Sequence, residues 1–436
     1  MFHALLLLLG LAAPAAALDL PAPLTDDDFL QFDRAQAELG QLLFYDKILS
    51  GNQNISCGSC HHHDLGSTDG LSLGIGEGGV GLGPARTAGT GANRIKARIP
   101  RNAPALWNLA HKDIDALFHD GRLSISDLYG NGFNSPAEEY LPAGLKSLLA
   151  AQALFPVTSD NEMAGHPGEN EIAGAVHDRI DKAWPIIAER VRGIPEYVEM
   201  FAAAFDHVDR AEDITIVEIA NAIAAFEGTE FRNHDSAFDA YLGGEPEALD
   251  ESQMRGMELF YTVGCSGCHA GPMLTDNGFH AIGLPQFGPG RTRPWDPMPR
   301  DVGRMGETDR LEDAYKFRTP SLRNVALTAP YGHNGAMPTL EAMVRHHADP
   351  RASQQGWTPD MAALRPAPWL AATDFVIRED RIEMQRQLAV NELELPPLSD
   401  QDIADIVAFL NCLTGRTAED RPLGVPARVP SGLPVD

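Results

Sequence analysis

CGSCH at residues 57–61 returns as CSGCH at residues 265–269, and these two stretches decide how the chain is read. Cys-x-x-Cys-His is the attachment pattern of haem c: two thiols add to the porphyrin vinyl groups and the adjacent histidine reaches the iron. Cys57, Cys60 and His61 therefore hold one haem, and Cys265, Cys268 and His269 a second. Two rival readings use the same cysteines. A zinc site of four thiols leaves both trailing histidines unexplained, and a CxxC redox pair explains neither the histidines nor the repetition.

Working outward, the same grammar surrounds each motif. A stripe of Leu39, Leu42 and Leu43 leads into the first. Asp250, with Gln253 three residues on, is a capping box opening a helix with Met254, Met257 and Phe260, which leads into the second. A loop with ten glycines follows the first motif between Asp64 and Ala92, and a Gly/Pro/Arg-rich loop, roughly 271–310, follows the second. Periodicity predicts helices over 143–153, 172–191 and 216–226, the last stopped by Gly228. A final helix opens at Ser399 with Asp402, carries Ile403, Ile406, Val407 and Leu410, and halts at Gly415. The pattern is an internal duplication with a boundary near residue 245, almost no strand-like alternation, and hence a mainly helical fold.

Composition narrows the partners. The chain of 436 residues carries 34 Lys+Arg against 61 Asp+Glu, a formal charge of −27. Such a surface repels nucleic acid and anionic lipid and asks for a basic patch on any electrostatically steered partner. Hydrophobic residues at 44% and charged residues at 22% exclude wholesale disorder. Five cysteines are too few for a disulfide scaffold. The apolar run from Leu5 ends near Ala13 and is followed by Pro14 and Ala15–Ala17, the pattern of a cleaved export signal over 1–17. No later stretch reaches the ~18 apolar residues of a membrane span. The mature chain is expected to be soluble and periplasmic, where c-type haem is assembled.

Beyond the haem motifs, LGQLLFYDKILS (39–50), RNAPALWN (101–108), FHDGR (118–122), AAQALFPVTSDNEMAG (150–165), KFRTPSLRNVALTAPYGHNG (316–335) and TLEAMVRHH (339–347) run through nearly the whole mature chain. In these blocks it resembles the bacterial dihaem cytochrome c peroxidase family, which includes the MauG-like enzymes that oxidise residues of a partner protein. The resemblance implies two cytochrome c-like helical domains, here 18–245 (peroxidatic) and 246–436 (electron-transferring), each with one haem c. It places Gln152 and Glu162 over the peroxide-binding face of the first haem, where a carboxylate moves a proton between the peroxide oxygens. The family supplies the second haem's sixth ligand seven residues after the Leu of TLE, which is His347, with Met343 and His346 as competitors. In a helix His346 points ~100° away from His347. Asn102, with the carbonyls of Thr328 and Pro330, matches the family's calcium site, and calcium prefers such hard oxygen ligands. His333 matches a histidine near the second haem.

The sequence also departs from the family. Residues 64–110 contain no histidine to cap the first iron, and His62 and His63 follow the proximal ligand too closely to reach the far face. A five-coordinate first haem is expected. His347 stands where Met or Tyr is usual, which lowers the potential relative to a Met ligand. His119 replaces the usual Trp between the haems, with Trp107 nearby as a substitute. Two insertions, Leu123–Ser147 and Pro285–Arg310, could line a partner face, and Cys412, ~180° from the Ile403 stripe at ~100° per residue, is a passive thiol. Three functions follow. One is a peroxidase reducing hydrogen peroxide with electrons from a small cytochrome c or copper protein. Another is a MauG-like enzyme oxidising Trp or Tyr of a partner protein. The third is a passive dihaem electron carrier, against which Gln152 and Glu162 argue. A homodimer is the assembly considered with them.

Overall fold

The computed structural model describes residues 18–292, 296 and 298–436, so the expected export signal lies outside the described residues. Helices dominate. The only sheets among the described residues are an antiparallel set of Ala116–Leu117, Leu123–Ile125 and Phe133–Asn134, and the pair Phe279–His280 with Phe317–Arg318. Among the described residues no helix is long and apolar enough to cross a membrane.

The duplication is visible in how two helix pairs cross. Helix Arg34–Tyr45, whose N-cap Asp33 accepts from Ala35 and Gln36, packs on helix Ile216–Glu230, opened by a Thr215/Glu218 capping box. Helix Glu251–Thr262 packs in the same way on helix Asp400–Asn411; their capping boxes are Asp250/Gln253 and Ser399/Asp402. At both crossings a glycine lets the backbones touch. A Cβ on Gly40 would stand 1.9 Å from the Ala222 oxygen and 2.9 Å from Phe226 Cβ. A Cβ on Gly256 would stand 1.9 Å from the Asp405 oxygen and 2.9 Å from Phe409 Cβ. The two halves share one atomic contact as well as one order of elements.

Each helix pair carries its own apolar core. The larger gathers Leu39, Leu43, Phe44, Phe226 and Phe231 with Trp184, Tyr197 and Phe201. The other gathers Met257, Phe260, Phe409 and Leu413 with Phe238 and Trp357. The cores also exchange side chains. Leu73, from the first glycine-rich loop, is buried in the second, while Ala418 and Val429 are buried in the first.

Several elements differ from expectation, each for a local reason. The expected 143–153 helix shrinks to Leu148–Gln152, because Gly144 turns left-handed and Ser147 caps Ala150. The 172–191 stretch splits into Glu171–Asp178 and Ala183–Arg192 around extended Arg179. Gly228 does not stop its helix, which runs on to Glu230; a Cβ there would meet the Phe32 ring at 2.2 Å, so Gly228 serves packing. Cys412 is not turned away from the apolar stripe. It caps the last helix inside the second core, and burial raises its thiol to about 12.

Adding a methyl at the second crossing forces the helices apart. Gly256→Ala should lower unfolding stability by about 1–3 kcal/mol in denaturant titrations. Gly174→Ala, on an open helical face, should be neutral or stabilising by up to about 1 kcal/mol.

Candidate active site

Both CxxCH motifs fold as one 3-10 turn: Cys57–Ser59, reached from helix Arg34–Tyr45 through the turn Lys47–Leu49, and Cys265–Gly267, directly after helix Glu251–Thr262. The turn closes on itself: His61 N–H donates to the Cys57 carbonyl (2.9 Å) and His269 N–H to that of Cys265 (3.0 Å). Two thiols and an imidazole are thus carried on a single turn. Each imidazole is then fixed by its other nitrogen, since Nδ1 of His61 donates to the Ser67 carbonyl (3.0 Å) and Nδ1 of His269 to that of Leu274 (3.2 Å). A carbonyl only accepts, so the proton sits on Nδ1 and Nε2 is left with its lone pair for iron.

His347 is brought beside His269. Its Nδ1 donates to the Met343 carbonyl (2.9 Å), and its ring centre lies 6.4 Å from that of His269. Two iron–nitrogen bonds of about 2 Å, plus about 1 Å from each nitrogen to its ring centre, call for roughly this span. Burial lowers His61, His347 and His269 (the last to about 4), keeping them in the neutral form that binds metal. The competitors are spent elsewhere. Both ring nitrogens of His346 are used, on Ser353 Oγ (3.0 Å) and the Ile282 carbonyl (2.7 Å), and the Met343 side chain packs against the second core. The residues present fit a haem at each motif.

They do not fit a four-thiol zinc site. Cys57 and Cys60 pack against the first core and Cys265 against the second. Among the described residues the only group of three or more possible ligands within 4.8 Å of one another is Cys268, Asp276 and His280, with a single cysteine. His280 spends both nitrogens on Asp276 (2.8 Å) and Glu392 (3.0 Å).

Glu162 stands on a π-helical turn, Asp160–Ala164, where the Ser159 carbonyl collects the N–H groups of Glu162, Met163 and Ala164. Such turns recur at functional positions. The turn is gripped from outside: Gly51 N–H reaches the Met163 carbonyl (2.7 Å), Asn170 Nδ2 that of Ala164 (2.9 Å) and Glu77 N–H that of Asn161 (3.0 Å). Gly76 fits because a Cβ there would stand 2.0 Å from the Asn161 oxygen. The glycine-rich loop thus seats the turn that carries Glu162. Burial pushes the Glu162 carboxyl above the usual range, and the two charges acting on it, Arg122 and Arg291, oppose that rise. Gln152 ends the short helix Leu148–Gln152, its carbonyl accepting Phe155 N–H (3.1 Å). His62 and His63 are held away, His62 against Tyr45 and Asp64, His63 between Glu230 (2.9 Å) and the Ala418 carbonyl (3.2 Å).

The sequence reading passed over a buried charge cluster beside this site. Arg101 grips Asp301 with two bonds (2.7 and 2.8 Å) and Asp120 with a third (2.5 Å). Arg122 (3.2 Å) and Arg291 (3.5 Å) also reach Asp120. Three of these residues lie in the quoted RNAPALWN and FHDGR blocks, which was the available signal. His119 lies against the cluster with Nε2 3.1 Å from the Asn102 carbonyl, and burial lowers it to about 4. His333 stacks on Phe317 at 3.6 Å. Trp107 instead bonds the Gly66 carbonyl and packs on His63 and Phe231 in the first core. Asn102 donates its amide to the Leu71 carbonyl (2.6 Å), next to Ser72, whose Cα and oxygen would crowd a Cβ on Gly335 together with Pro330. Thr328 Oγ1 turns back to the Val325 carbonyl (3.0 Å).

Comparison with known proteins agrees with this geometry. The family described as di-haem cytochrome c peroxidase matches residues 34–247. The cytochrome c551 peroxidase of Nitrosomonas europaea is 30% identical over 308 residues, covering 71% of each chain. That of Pseudomonas aeruginosa is 29% identical over 350 residues, covering 78% of this chain and 82% of the relative. A solved MauG-like protein associated with microbial copper homeostasis superposes with a TM-score of 0.60 at 26% identity, over 96% of this chain and all of the other. A paired set of CxxCH turns, a second imidazole beside that of the later turn, and relatives matched across most of their length lead to one conclusion: the chain belongs to the di-haem cytochrome c peroxidase family of oxidoreductases.

Proposed function

We infer that the chain reduces hydrogen peroxide to water at the haem held by Cys57, Cys60 and His61. Electrons enter from a small redox protein through the haem held by Cys265, Cys268, His269 and His347. The observation that carries this reading is Glu162, a half-buried carboxyl with a raised pKa on a turn gripped from three sides. Bound haem iron supplies a centre that takes a peroxide oxygen and the electrons that open the O–O bond. Glu162, once ionised, accepts a proton from one peroxide oxygen and returns it to the other as the bond opens. Gln152 offers an amide to orient the peroxide. The neutral His61, its Nδ1–H fixed on Ser67, keeps its orientation throughout. The acidic surface selects a donor with a basic patch. Export through residues 1–17 to the periplasm, and a calcium ion among Asn102, Thr328 and Pro330, belong to the same proposal. The support for calcium is that the 71–72 backbone lies beside both Asn102 and Pro330.

A MauG-like role, oxidising Trp or Tyr of a partner protein, is the second reading. It is favoured by the second haem's two-histidine surroundings and by histidines 62 and 63 being tied away from the first iron's far face. Peroxide-dependent oxidation of a reduced donor cytochrome supports the first reading. Peroxide-dependent modification of a partner protein with no donor turnover supports the second.

Glu162→Gln should lower peroxide reduction by about 10²–10⁴-fold while both haems stay attached, measured by stopped-flow. The carboxylate form is the base, so activity falls as pH drops through its pKa. Because burial raises that pKa, the acid limb of kcat/KM should lie above the ordinary glutamate value of about 4.3 and disappear in Glu162→Gln. His347→Gly should turn the second haem from low spin to high spin in the resting optical and EPR spectra; an unchanged spectrum would assign the ligand elsewhere.

A further inference from the structure

The turn 118–122 is built at a conformational cost. Phe118, a bulky residue, has a φ of 66°, in the left-handed region that side chains of its kind rarely enter, and Gly121 has the same φ. The double reversal folds Arg122 back so that its guanidinium lies 3.7 Å above the Phe118 ring. Two further bonds from Nη1 to the Asp120 carboxylate, both 3.2 Å, fix it there. Asp120 is fully buried and also held by Arg101, so this anchor does not move. Phe118 in turn meets Phe155 edge to face at 6.1 Å, and Phe155 N–H is bonded to the Gln152 carbonyl. This run of contacts sets the guanidinium of Arg122 on the side of the first half that carries Gln152 and Glu162. The cluster holds three guanidiniums, Arg101, Arg122 and Arg291, on two buried carboxylates, Asp120 and Asp301. Arg291 also pairs with Glu307 (3.1 Å), so the three guanidiniums meet three carboxylates and the cluster is charge-balanced; what Arg122 offers this face is a fixed N–H donor.

We propose that Arg122 is a further catalytic residue, a fixed guanidinium that donates a hydrogen bond to the peroxide oxygen that leaves. The inference rests on the reading of this face as the peroxide site. Reduction of peroxide to two waters takes two electrons from the donor protein and two protons from solvent. The leaving oxygen gains negative charge as the O–O bond opens and receives its proton from Glu162. Arg122 keeps all its protons and supplies only the charge and the hydrogen bond. The strain at Phe118 is what holds the donor ready before peroxide arrives.

The test uses the intact, haem-loaded protein and two readouts. Fluoride, an anion that needs a nearby donor when it binds ferric iron, is titrated optically. The bimolecular reaction with peroxide is followed by stopped-flow. Arg122→Gln should weaken fluoride binding at least tenfold and slow the peroxide reaction by about 10²-fold. Unchanged fluoride affinity and peroxide rate in this variant overturn the proposal. Loss of the first haem overturns it too, by assigning Arg122 to anchoring a haem carboxylate. Arg122→Lys keeps the charge without the planar fork and gives a second decision: fluoride affinity must fall at least threefold. A wild-type protein inert to peroxide would sink the reading of the face itself, whereas a reactive wild type with an equally reactive Arg122→Gln sinks this inference alone.

Discussion

A single buried carboxylate, Asp120, organises the region where the two halves meet. It has no exposed surface, yet it accepts from Arg101 and Arg122 and lies near Arg291. Arg101 passes the link on to Asp301 in the second half. A charge buried like this is tolerated only while every partner stays in place, and removing one partner typically costs about 3–5 kcal/mol. The cluster therefore acts as a rigid pin. It fixes FHDGR against the second half, and with it His119, the Phe317–His333 stack and the guanidinium above Phe118. The neighbouring Arg304 adds to the pin by bonding the carbonyls of Asp120 and Gly121.

The two haem surroundings are asymmetric in a way that suits division of labour. Around the second motif, the imidazoles of His269 and His347 face each other and both have their outer nitrogens tied to backbone. Around the first, the nearest extra histidines are locked into pairs with Glu230, Asp64 and backbone. In the proposed reading, Glu162 and Gln152 furnish the face opposite His61 with a carboxyl and an amide. Such polar groups placed over a haem are of little use to a protein that only passes electrons.

Much of the fold was legible because its signals are local. Capping boxes at Thr215, Asp250 and Ser399 and the apolar stripes that follow them depend on residues three or four apart. The haem-attachment turns are more local still. The roles given to Glu162, Gln152 and His347 rest on resemblance, since a lone acid or histidine says nothing of what it faces. The Arg101–Asp301 pair was not legible because its members are separated by 200 positions. Gly228 was misread for a related reason: it resembles a helix stop until Phe32, far back in the chain, is seen lying against it. Cys412 lies in the second core although counting ~100° per residue sets it opposite Ile403, because that core also receives residues from outside helix Asp400–Asn411, such as Leu413 and Phe238.

The exchange of side chains between the cores bears on how such a duplicated molecule ages. Leu73 plugs the second core, while the segment after the last helix returns to the first, where Leu423 and Gly424 bond Glu230 and Ser431 bonds Asp46. Each copy has come to complete the other. Neither repeat could be deleted or shuffled into another gene without leaving its sibling's core incomplete.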